Sequence, residues 1–87
     1  MDNISFSPEG WEDYCHWQSK EHIKTLIRIR RLLDDIRRNG LSEGIGKPEH
    51  SRYGDGWSRR IDEENRLVYQ EENGDIVVLS CRGHYED

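Results

Sequence analysis

Three side chains in the second half of the sequence carry the chemistry that cleavage of a phosphodiester bond requires: Glu49, Arg66 and His84. Attack by an RNA 2′-hydroxyl needs a base to take its proton, positive groups for the charged phosphorane, and an acid for the departing 5′-oxygen. An imidazole suits either proton transfer near neutral pH because its unperturbed pKa is about 6.5. The residue types therefore allow an RNA-cleaving site, if the fold brings them together.

Each of these residues also has a purely structural explanation. A loop carboxylate such as Glu49 is ordinarily solvated, and an arginine at a strand start, such as Arg66, commonly pairs with a nearby acid. His84 lies near the end of the chain, where a side chain is often only solvated, and Tyr85 has the alternative of packing on a sheet edge. On the residue pattern alone, both interpretations remain open.

The charge of the chain is unevenly distributed. The net charge of −5 argues against a nucleic-acid partner when taken over all 87 residues, because such domains are more often basic. Residues 23–47, however, carry seven Lys or Arg and three acids, most of them on one helical segment. A basic helix face is usually just solvated, but this is the only basic surface large enough to meet a polyanion.

The length of 87 residues predicts a single domain spanning 1–87, small enough that a dimer or a bound partner would add useful burial. No apolar run is long enough for a signal peptide or a membrane span. Cys15 and Cys81 are far apart and lack the spacing of a zinc site. We therefore expect a cytoplasmic protein with no membrane association and no metal, in which both cysteines are small buried residues.

The elements predicted to position the candidate residues follow the order β-α-α-β-β-β. Ile4 and Phe6 alternate with polar residues and predict a strand, and Ser7-Pro8-Glu9 predicts the start of a helix that ends near Trp17. A second helix over about 20–38 precedes a glycine-rich loop over 39–56. Three strands follow at 57–61, 66–69 and 76–81, the last two joined by Asn73-Gly74. The order predicts an α+β domain with an antiparallel four-stranded sheet and two helices on one face.

Four ordered motifs resemble the YoeB-type toxins of the RelE/ParE superfamily. They cover nearly the whole chain: Trp11-Glu12-Asp13-Tyr14 with Trp17-Gln18, Gly46-Lys47-Pro48-Glu49, the run from Trp57 to Tyr69, and Cys81-Arg82-Gly83-His84-Tyr85. The resemblance implies the microbial-RNase fold and a toxin of a type II toxin–antitoxin system. Toxins of this type are ribosome-dependent mRNA endonucleases that cut the transcript in the decoding site and block translation, without a metal or other cofactor. The resemblance also implies a homodimer and a YefM-like antitoxin, whose disordered C-terminal segment folds over the active surface.

The resemblance implies roles for individual residues. Carried over by position, Glu49 is the general base, His84 the general acid, Arg66 the group that stabilises the phosphate in the transition state, and Tyr85 a substrate-positioning residue. The residues expected to contact RNA are Arg60, Arg59, Lys47 and Arg52.

The sequence departs from the resemblance directly after Glu49. The family usually continues with Pro-Leu-Lys, whereas His50-Ser51-Arg52 follows here, so that Arg52 is the candidate replacement for the family lysine. A non-catalytic ParE-like toxin that inhibits gyrase is the alternative function, because the fold alone does not decide between binding and catalysis.

Overall fold

A computed structural model describes residues 3–51 and 56–83. The predicted site residues Arg52, His84 and Tyr85 lie outside these ranges. The helices are α1 (Pro8–His16) and α2 (Ile23–Asn39), with a short 3-10 helix (Lys20–His22) leading into the second. The strands are β1 (Ile4–Phe6), β2 (Glu49–His50), β3 (Trp57–Arg60), β4 (Arg66–Glu72) and β5 (Asp75–Ser80).

The strands form one five-stranded sheet in the order β1-β5-β4-β3-β2. The α+β class and the order of the predicted elements are confirmed, but the prediction of four antiparallel strands needs two corrections. The loop over 39–56 contains β2, which adds a fifth strand antiparallel to β3. The first strand runs parallel to the last, with Ile4 opposite Ile76, so the sheet is mixed. A strand of two residues is too short to display an alternating pattern, and pairing direction is a property of the tertiary fold.

Helix α1 begins where its sequence predicts and is fixed closely against β5. The Ser7 hydroxyl accepts a hydrogen bond from the Gly10 N–H at 3.1 Å, and Pro8 occupies the first turn. The Ser7 N–H donates to the Val78 carbonyl at 2.9 Å. A Cβ on Gly10 would lie 2.3 Å from that same carbonyl oxygen, so only glycine permits this approach.

One face of the sheet carries the core. In β4 and β5 alternate side chains are fully buried, namely Leu67, Tyr69, Ile76 and Val78. They pack against the apolar stripe of α2 and against Trp17, which follows α1, as expected for helices on one face. The side chains on the opposite face of β4 and β5 do not belong to this core.

The β4–β5 hairpin turns at Asn73-Gly74, as predicted. Both residues have positive φ, 52° and 85°, which is what a two-residue turn joining twisted antiparallel strands requires. Within the described ranges, neither α1 nor α2 is long and apolar enough to cross a lipid bilayer.

The two cysteines differ, so the prediction that both are buried is wrong for Cys15. Its position on α1 leaves it exposed, whereas Cys81 is fully buried after β5. Burial, together with the nearby Asp13 carboxylate, raises the pKa of the Cys81 thiol to about 12.

A thiol reagent should therefore modify one of the two cysteines in the native protein. The Cys15 thiol should react readily with dithionitrobenzoate at pH 8, whereas Cys81 should react only after unfolding, since the thiolate is the reactive form. The absorbance change would count one thiol in buffer and two in denaturant. A Cys15→Ser variant should show none in buffer, and fast labelling of that variant would contradict the prediction.

Candidate active site

The strand register places three predicted site residues on one face of the sheet. Glu49 pairs with Ser58, and Ser58 in turn pairs with Val68. Two residues further along β3, Arg60 pairs with Arg66. Because directly opposed residues share a face, Glu49, Arg60 and Arg66 all lie on the face opposite the core. Two strand spacings and two residues separate Glu49 from Arg66, or roughly 12 Å between Cα atoms, which leaves space for a substrate group between their side chains.

A cleft of about 250 Å³ lies on this side of the molecule. Arg66 contributes the positive group, and the remaining lining is mixed: Glu9, Ser51, Trp57, Ser58, Val68, Leu79 and Ser80. Trp57 is opposite Tyr69 and packs partly against the core, and its indole meets the His50 ring edge-on, with centroids 4.9 Å apart. Polar and charged residues thus stand beside apolar ones in this cleft, which suits a ligand that has both polar and apolar parts.

The segment that leads to Glu49 is fixed to the sheet by its backbone. Gly46 and Lys47 have positive φ angles of 84° and 53°, which turn the chain toward β2. The Gly46 carbonyl accepts a hydrogen bond from the Arg60 N–H at 2.7 Å. Lys47 and Arg60 are both exposed, as contact with a polyanion would require.

Cys81, which directly follows β5, is held by two hydrogen bonds to residues in or next to α1. The Trp17 indole N–H donates to the Cys81 carbonyl at 2.9 Å, and the Cys81 N–H donates to the Asp13 carboxylate at 3.0 Å. Residues from the end of α1 therefore fix the position from which the chain leaves β5.

From the other side, Gly83 is hydrogen-bonded to the turn before β4. Its N–H donates to the Asn65 side-chain oxygen at 2.8 Å, and its carbonyl accepts from the Arg66 N–H at 3.0 Å. Asn65 is itself fixed, because its backbone N–H donates to the Asp62 carboxylate at 2.7 Å. Gly83 is thus anchored beside Arg66, and His84 is the next residue in the sequence.

Arg59 corrects the sequence prediction, since it is fully buried instead of contacting RNA. Its five N–H donors are all used: by the Tyr69 hydroxyl, the Asp35 carboxylate, and the carbonyls of Ile45, Gly40 and Glu43. The guanidinium ties residues 40–45 to the sheet and so fixes the loop that leads to Glu49. The burial of Arg59 could have been predicted from the alternation of side chains along a strand. Arg59 and Arg60 lie on opposite faces, and Arg59 shares the face of Trp57.

The carboxylate of Asp35 is the counter-charge of this buried arginine. Burial by itself raises the pKa of Asp35, but hydrogen bonds from Arg59 and from the Ile45 N–H outweigh that effect. The resulting pKa of Asp35 lies below its ordinary value of 3.8, so the native state favours the ionised form.

This fold is that of known bacterial toxins. The YoeB–YefM complex from Staphylococcus aureus contains a chain that matches with a TM-score of 0.85 and 46% identity, over 95% of this chain and 97% of that one. The YoeB dimer from the same organism matches with a TM-score of 0.86, at the same identity and coverage.

The family follows from the sequence comparisons. The profile of the YoeB-like toxins of bacterial type II toxin–antitoxin systems matches residues 6–85. A toxin YoeB from Mycobacterium bovis is 42% identical over 87 residues, which covers 98% of this chain and 100% of that protein. The chain belongs to the YoeB-like toxin family, and the resemblance predicted from its motifs is confirmed.

Proposed function

We propose that the chain is a cytoplasmic, ribosome-dependent mRNA endonuclease that inhibits translation. The observation that carries the proposal is the placement of Glu49 and Arg66 on one sheet face, with Gly83 hydrogen-bonded to the backbone of Arg66. Glu49 takes the proton of the RNA 2′-hydroxyl, Arg66 stabilises the charged phosphorane, and His84 protonates the leaving 5′-oxygen. Lys47, Arg60 and Arg52 are phosphate contacts, and Tyr85 positions the substrate.

The reaction balances without a metal or cofactor. The 2′-oxygen forms a bond to phosphorus while the bond from phosphorus to the 5′-oxygen breaks. The proton removed by Glu49 and the proton supplied by His84 leave a 2′,3′-cyclic phosphate and a free 5′-hydroxyl. DNA lacks the attacking hydroxyl, so this mechanism predicts cleavage of RNA alone.

The assembly of this chain is proposed from its relatives. A YoeB–YefM complex and a YoeB dimer are the solved structures it matches at 46% identity. We infer a YefM-like antitoxin as its neutralising partner and a homodimer as its free form, which would supply the burial that a domain of this size lacks.

The function is tested by mapping transcript ends in a translation extract. Addition of the chain should produce new 5′ ends within translated messages, and purified RNA without ribosomes should remain intact at the same toxin concentration. The gyrase-inhibiting alternative is tested in parallel by incubating the chain with gyrase and a supercoiled plasmid. Intact messages together with broken DNA would reject the endonuclease and favour the ParE-like alternative.

A further inference from the structure

Three arginines converge in a second cleft that adjoins the candidate active site. Arg28 of α2, Arg60 of β3 and Arg66 of β4 line this cleft of about 410 Å³, together with Ile61, Asp62 and Glu63. Arg66 also lines the first cleft, so it stands between the two. An RNA strand with one phosphate at Arg66 would have its neighbouring phosphate within reach of the second cleft.

Positive charge is concentrated in this cleft. Arg60 and Arg66 are directly opposed across β3 and β4, which brings two like charges close together. A third guanidinium joins them, since Arg28 Nη2 donates to the Arg60 carbonyl at 3.2 Å. Within residues 3–51 and 56–83, neither Arg28 nor Arg60 forms an ion pair with a carboxylate.

Within the described residues, the acids of the cleft form no ion pair with Arg28 or Arg60. The carboxylate of Asp62 accepts hydrogen bonds from the N–H groups of Glu64 and Asn65 at 2.8 and 2.7 Å, so it serves the turn before β4. Glu63 lies on the same turn and is exposed to solvent. An anion bound in this cleft would therefore find two cations, Arg28 and Arg60, that no described carboxylate pairs with.

We propose that this cleft binds the RNA phosphate next to the scissile one, and that Arg28 is its ligand from α2. The inference rests on the proposed function, since it takes Arg66 as the group at the scissile phosphate. Guanidinium groups bind phosphate oxygens in pairs, which gives both charge and orientation. The cleft continues the candidate active site, and this favours the RNA backbone over the carboxylates of an acidic peptide as its ligand.

The test is binding of a short 2′-O-methyl RNA, which this mechanism cannot cleave, measured by fluorescence anisotropy over a range of salt concentrations. Arg28→Gln should bind about tenfold more weakly, and its log–log slope with salt should be shallower by about 0.7, the value for one phosphate contact to a single strand. Arg28→Lys should keep the wild-type slope, because it keeps the charge.

Arg38→Gln is the matched control, since it removes the same charge from the same helix about 15 Å away. Arg38 lines a different cleft, with Arg31, Asp34, Asp35 and Ile45. Three results would each overturn the proposal. Arg28→Gln could bind RNA with wild-type affinity and salt slope, Arg38→Gln could lose as much affinity as Arg28→Gln, or the wild-type chain could fail to bind the RNA. The proposal would also be overturned if Arg28→Gln lost binding to a polyglutamate peptide but bound the RNA as the wild-type chain does, because the cleft would then bind acidic peptides.

The outcome is separable from that of the proposed function because the binding assay requires no catalysis. Arg28-dependent binding by a chain that cuts no message would reject the endonuclease and leave the phosphate cleft standing. Cleavage of messages by a chain whose RNA binding ignores Arg28 would reject the cleft alone.

Discussion

Replacing Glu49 by Gln should lower the rate of mRNA cleavage by about 10² to 10⁴, the usual effect of losing a proton-transfer group. The amide has nearly the same shape as the carboxylate, and Glu49 is exposed on a short edge strand, so the fold should be retained. His84→Ala should cause a loss in the same range. The measurement is a single-turnover rate on ribosomes programmed with a defined message, read from labelled fragments.

Glu71→Gln is the control for this experiment, because it removes the same charge from an exposed position near the hairpin end of β4. Its rate should equal that of the wild-type chain. Undiminished cleavage by both Glu49→Gln and His84→Ala would reject the assigned roles.

Removing the carboxylate of Asp35 should lower the free energy of unfolding by about 3–5 kcal/mol, because it leaves a buried guanidinium without its counter-charge. The Arg59 side chain is 0% exposed and that of Asp35 is 15% exposed, so water cannot replace the lost partner fully. For a small domain this is a large part of a total of about 5–15 kcal/mol. Urea denaturation of Asp35→Ala at pH 7, followed by tryptophan fluorescence, measures the loss.

The neighbouring Asp34 provides the control. Its ion pair with Arg37 spans 3.9 Å, and both side chains are about half exposed or more, at 65% and 48%. Asp34→Ala should therefore change the free energy of unfolding by no more than about 1 kcal/mol. Equal stability of the two variants would contradict the role assigned to the buried pair.

The effect of Asp35→Ala should depend on pH with a definite sign. The pKa of Asp35 is lowered in the native state, so its contribution is complete well above the ordinary value of 3.8 and is lost as the pH falls through the lower native pKa. The difference in unfolding free energy between wild type and variant should shrink in acid. A difference that stays constant from pH 7 to pH 2 would show that the ionised carboxylate is not responsible.

Features governed by local chemistry were predictable from the sequence. The Ser7 cap and the Asn73-Gly74 turn depend on side-chain hydrogen bonds and positive φ angles that short motifs specify. The motifs also placed Glu49 and Arg66, which the strand register then brought to one face. These features need no knowledge of which distant segments will meet.

Features that depend on distant contacts were not predictable in the same way. Two adjacent arginines, Arg59 and Arg60, look equivalent as charges, but the pleat sends one into the core and the other to the surface. The loop carbonyls, Asp35 and the Tyr69 hydroxyl, all supplied from elsewhere in the chain, make the buried position tolerable. The parallel direction of β1 depends likewise on a strand about 70 residues later.

The position of β5 has a consequence for the order in which the molecule can be built. Among the strands of residues 3–51 and 56–83, β5 is synthesised last and lies between β1 and β4, and β1 pairs there with β5 alone. A nascent chain therefore holds β1 without this partner until β5 has emerged, and β5 leads through residues 81–83 to His84. Termination of synthesis before β5 would yield a fragment in which β1 is not joined to the sheet and the site is incomplete. A protein proposed to stop translation therefore cannot complete its site before its own β5 has been translated.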